Sequence, residues 1–101
     1  MERNYKIGYL PSSAKDLTEI VDYIKIDNPQ SAMNFVEKVD ESISSLERFP
    51  FLGVVPKDIR LQNLGYRMLI IENYLVFYVV LDDIVEIRRI TSGKRKYDFL
   101  L

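Results

Sequence analysis

The chain has no histidine and no cysteine among its 101 residues. Without cysteine there is no disulfide and no thiolate metal site. Without histidine the usual general base, the usual zinc ligand and every Ser–His or Cys–His nucleophile are excluded. No apolar run approaches the ~20 residues that cross a bilayer. The opening MERNYKIGYL lacks the apolar core and small-residue cleavage site of a signal peptide, so a cytoplasmic location is expected. Neither GxxxxGK[ST] nor GxGxxG occurs, so Gly53, Gly65 and Gly93 build no phosphate loop. No two carboxylates stand out as an acid/base couple, and no metal or cofactor is expected.

What is present fits one domain over residues 1–101. Residues 1–49 carry six Lys/Arg against nine Asp/Glu, whereas residues 50–101 carry eight against six. The basic end gathers Arg88, Arg89, Lys94, Arg95 and Lys96 and suggests a local site for an anion or acidic partner. Tyr5 to Leu10 reads as a strand stopped by Pro11. Ser13 with Asp16 has capping-box spacing, which predicts a helix from about Ala14. Leu17, Ile20, Val21 and Ile24 form one helical stripe. Asn28-Pro29 ends that helix and caps the next, whose stripe runs Ala32, Phe35, Val36, Val39, Ile43 and Leu46. Phe49-Pro50 closes it.

Pro50 to Asp58 reads as a loop, and Arg60 to Leu64 as a short edge strand. Tyr66–Ile71, Tyr74–Leu81 and Ile84–Ile90 are rich in β-branched and aromatic residues. Glu72-Asn73 and Asp82-Asp83 are the hairpin turns of an antiparallel meander. The expected fold is α+β, a two-helix hairpin packed on an antiparallel sheet in the order β-α-α-β-β-β. The run Tyr74–Leu81 is apolar on both alternating faces. The helices cover one face; the other needs a partner segment, a second copy, or the chain's own Tyr97, Phe99, Leu100 and Leu101.

The residues left to carry chemistry are cations and tyrosines. Arginine grips phosphate and stabilises developing negative charge, and tyrosine stacks on bases or relays a proton. A site of this kind can cleave RNA without histidine, with the 2′-hydroxyl as internal nucleophile. Glu86 alternates with Arg88 and is expected to pair across the strands.

Ser13-x-x-Asp16-Leu17-x-x-Ile20, Tyr23-Ile24, Phe49-Pro50 with Gly53, Tyr66-Arg67, Asn73-Tyr74 with Phe77-Tyr78, and Glu86-Ile87-x-Arg89-Ile90 leading to Gly93-Lys94-Arg95 follow one another along nearly the whole chain. In this order they resemble the RelE/ParE superfamily of type II toxin–antitoxin toxins. The resemblance implies a small bacterial toxin of plasmid-stabilisation type, silenced by a wrapping antitoxin and able to join larger toxin–antitoxin assemblies. One branch cleaves mRNA on the ribosome, and the other inhibits DNA gyrase. For the RelE-like branch the resemblance implies catalysis by Arg67, Arg95 and Tyr97. Two cations of that pattern are missing, at Leu69 and at Leu75. Ser92 stands where ParE-like members often carry a histidine. The long second helix and the YR…NY…FY spacing are closer to the ParE-like branch, and gyrase is the favoured target. Target contacts are expected from Arg67, Arg89, Lys94, Arg95 and Lys96, and antitoxin contacts from Tyr74, Val76 and Tyr78. The alternatives are a ribosome-dependent endoribonuclease and a non-toxic interaction module on the same fold.

Overall fold

The computed structural model describes residues 4–93 and Leu100. Strand β1 (Lys6–Tyr9) leads into helices α1 (Pro11–Asp27) and α2 (Pro29–Ser44), followed by a 3-10 turn at Ser45–Glu47. A loop and the short helix α3 (Ile59–Asn63) precede β2 (Arg67–Ile71), β3 (Tyr74–Leu81) and β4 (Ile84–Ser92). The sheet order is β1-β4-β3-β2. The last three strands form the expected meander. However, β1 runs parallel to β4, with Lys6 opposite Ile84 and Tyr9 opposite Ile87, so the sheet is mixed rather than antiparallel. Side-chain alternation specifies faces and is the same for either strand direction.

Pro11 occupies the start of α1, where its missing N–H costs no hydrogen bond, and Leu10 is the cap residue. Ser13 therefore lies inside the first turn and not at the cap. Its buried hydroxyl donates to the Leu10 carbonyl at 2.8 Å, and the expected capping box does not form. Asn28 does cap α2: its side-chain oxygen accepts from the N–H groups of Gln30 (3.0 Å) and Ser31 (3.2 Å). Ala32, Phe35, Val39 and Ile43 are buried, but Val36 of the same predicted stripe is 41% exposed. Leu17, Ile20, Val21 and Ile24 of α1 pack at the margin of this core. The sheet meets the helices with Leu69, Ile71, Val76, Tyr78, Val85, Ile87 and Ile90.

The opposite face is not left open. Leu75, Phe77 and Val79 are buried beneath Leu61 and Tyr66, with Met68 and Leu100 packed alongside. The segment expected as an edge strand supplies this cover as helix α3. Asp58 caps it by accepting the Arg60 N–H at 2.9 Å. A two-pronged side-chain pair with Arg60 and that backbone bond hold the Asp58 carboxyl down at about 2. At the other end Gly65 takes a φ of +80°. Its N–H reaches the Gln62 carbonyl and the Tyr66 N–H reaches the Leu61 carbonyl, both at 3.0 Å. This is a Schellman closure, and it turns Leu61 and Tyr66 onto one small second core.

Candidate functional site

Strand β4 loses its alternation at Ile87-Arg88-Arg89-Ile90. The helix-facing residues are Val85, Ile87 and Ile90, in steps of two and then three. Tyr78 lies opposite Ile87 and Phe77 opposite Arg89, which leaves Arg88 as the extra residue of a β-bulge. The bulge turns consecutive arginines toward the face that carries the second core. Arg88 lies over the Tyr66 ring, 5.6 Å from its centroid, and its Nε donates to Glu86 Oε1 at 2.9 Å. Glu86 thus pairs along its own strand and not across it. Partial burial works against the Arg88 charge, but Tyr66 and Glu86 outweigh it and raise the pKa.

Beside this bulge the sheet edge has lost its neighbour. β1 accompanies β4 only as far as Ile87 before turning into α1. The edge groups beyond would lack partners. The first turns of α1 supply them: the Ser12 hydroxyl donates to the Arg88 carbonyl (3.0 Å), and Asp16 accepts from the Ile90 N–H (3.0 Å). The same carboxylate takes Arg89 in a fork, Nε to Oδ2 at 2.7 Å and Nη2 to Oδ1 at 3.0 Å. That bond raises the Arg89 pKa against the opposing effect of partial burial. Arg89, read from sequence as a target contact, is the clasp between α1 and β4.

Arg67 stands elsewhere. It is opposite Tyr78, on the helix-facing side of the sheet, whereas Arg89 is opposite Phe77 on the other side. Arg67 Nη1 donates to the carbonyls of Phe51 (3.2 Å) and Gly53 (3.0 Å), and its guanidinium stacks 5.1 Å from the Phe51 centroid. The loop it holds is tied twice more. The Gly53 N–H donates to the Tyr78 hydroxyl at 2.8 Å. Val54 and Met68 exchange two backbone bonds of 2.9 Å, which also covers part of the outer edge of β2. Burial raises the Tyr78 pKa, against the Gly53 N–H and Arg67. The cations grouped from sequence are thus divided between the two sides of the sheet. Lys94, Arg95, Lys96 and Tyr97 lie outside the described residues.

The three residues expected to contact the antitoxin lie together on β3. Tyr74, Val76 and Tyr78 are the helix-facing members of β3. Val76 and Tyr78 have no exposed surface, so no partner touches them while the helices stay in place. Tyr74 packs on Phe35, ring centroids 5.0 Å apart. Among the described residues no cluster of His, Cys, Asp or Glu could hold a metal ion, and no helix is long and apolar enough to cross a membrane.

Two solved toxin–antitoxin systems share this fold. A chain of the chromosomal ParDE system from P. aeruginosa superposes with a TM-score of 0.72 at 22% identity, over 87% of this chain and 95% of that one. A chain of the RelBE2 toxin–antitoxin complex from Mycobacterium tuberculosis gives a TM-score of 0.62 at 19% identity, over 91% and 94%. No curated protein sequence matches. The architecture is thus one found in both of those toxin–antitoxin systems. A family profile described as "ParE toxin of type II toxin-antitoxin system, parDE" matches residues 7–97, and the chain belongs to that family.

Proposed function

We propose that this chain inhibits growth by binding DNA gyrase in the cytoplasm and that a cognate antitoxin silences it. Membership of the ParE family supports the toxin reading. The observation that carries the choice of target is the burial of Leu69 and Leu75. These are the positions where the ribonuclease branch is expected to place cations. Leu69 lies in the core beneath the helices and Leu75 in the second core. A lysine or arginine there would bury an unpaired charge, so no reorientation of the surface restores that catalytic set. Arg67 is tied to two loop carbonyls, away from Arg89. These placements favour a binding toxin over an RNA-cleaving one.

Two assays run side by side test this. Purified chain freed of antitoxin is expected to block gyrase supercoiling and to leave mRNA intact in a translating extract. Untouched supercoiling together with mRNA cuts on the ribosome, lost on Arg95→Ala, would transfer the chain to the endoribonuclease reading. Harmless expression of the chain alone would favour the interaction module.

A further inference from the structure

The loop after α2 presents its apolar side chains outward. Phe49, Phe51, Leu52, Val54 and Val55 are each about half exposed or more, within seven consecutive positions. A flexible polar loop is the usual occupant of such a place. This loop is held by the Arg67 bonds to Phe51 and Gly53, by the Tyr78–Gly53 bond and by the Val54–Met68 bridge. Its shape is therefore set before anything binds, which lowers the ordering cost of association. The flanking charge is mainly basic: Arg48, Lys57 and Arg67 adjoin the loop in sequence against Glu47, while Arg60 and Asp58 are paired with each other. Arg48 lies over the Phe49 ring at 5.8 Å and Arg67 over the Phe51 ring at 5.1 Å. Apolar anchors inside a cationic rim fit a partner of the opposite sign.

We infer that this loop is a docking surface for an acidic, apolar segment of the antitoxin. The assignment rests on the toxin–antitoxin reading above. A second copy placed by two-fold symmetry on the same patch would set one basic rim against another, at an electrostatic cost. Apolar surface of this kind also promotes aggregation when left uncovered. That favours the partner that accompanies the toxin for most of its life over a target met only when the toxin is free.

The probe is the full-length protein encoded by the open reading frame adjoining the toxin gene, titrated calorimetrically against the full-length chain. Leu52→Asp/Val55→Asp should weaken binding by about tenfold or more, with an unchanged melting temperature. Arg48→Glu/Lys57→Glu, which leaves the apolar anchors in place, should also weaken binding and flatten its salt dependence. A folded aspartate variant that binds within about twofold of wild type would overturn the assignment, as would hydrogen exchange that shows no slowing at 51–55 when the wild-type complex forms. A wild-type dimer that the aspartate substitutions split, with antitoxin affinity unchanged, would give the surface to a second copy and likewise overturn it. Failure of the wild-type chain to bind the probe at all would defeat the toxin–antitoxin reading itself, and this inference with it.

Discussion

Gly53 has no room for a side chain. A Cβ there would sit 2.6 Å from the Tyr78 hydroxyl, 2.7 Å from its ring and 2.9 Å from the Met68 carbonyl. All three are fixed: the tyrosine is wholly buried and the carbonyl is paired with Val54. Gly53→Ala should cost about 2–3 kcal/mol through forced displacement of packed atoms. Tyr78→Phe leaves the Gly53 N–H without its acceptor and should cost about 1–2 kcal/mol. The residues touch, so the two effects will not add. Removing the hydroxyl takes away the nearest clash but leaves the ring, and the double variant should lose less than the two single losses combined. Urea unfolding of the four proteins measures the cycle. Strict additivity would mean that the loop does not rest on the phenol. A lone glycine between apolar residues carries no such message in sequence, because its neighbour is 25 positions away.

Helix α1 and strand β4 are joined by one carboxylate that serves three donors, two from Arg89 and one from the Ile90 backbone. Asp16→Ala removes all three bonds at a partly buried site and should cost about 2–3 kcal/mol. Asp16→Asn keeps an acceptor for Ile90 and loses the opposite charge, so about 1 kcal/mol is expected. Equal losses for the two variants, by chemical denaturation, would show that the backbone bond contributes nothing. Pro11 was the clue in the sequence. Proline at the first helical position makes Leu10 the cap, moves Ser13 inside the helix and leaves Asp16 for other work. The step of three in Ile87-Arg88-Arg89-Ile90 likewise marked the bulge. Helix α3 left a signal too: Asp58 in front and Gly65 behind bracket six residues, the five of the helix and its cap Leu64. A five-residue element shows little periodicity, however, and apolar Leu61 and Leu64 suit a strand nearly as well.

At the scale of the molecule, β3 is a partition between two cores. Eight apolar or aromatic residues in succession leave β3 no polar side, so both of its faces need cover. Leu100, which packs on the second face, was among the covers the sequence offered; α3 was not, because Arg60 to Leu64 reads as an edge strand. If that face served as an open partner surface, truncating a residue over it would cost the unbound chain little. As an internal core it behaves differently. Leu61 is fully buried and packs with Tyr66, Leu75, Phe77 and Val79. Leu61→Ala removes its buried methyls and leaves a cavity under a short helix, at a cost of about 2–4 kcal/mol. The free chain should keep a single cooperative transition, because β3 couples the two cores, and its denaturation midpoint should fall while the binding of an apolar dye rises. A loss below about 0.5 kcal/mol, the range of ordinary surface substitutions, would mean that α3 does not close this face and that a partner must.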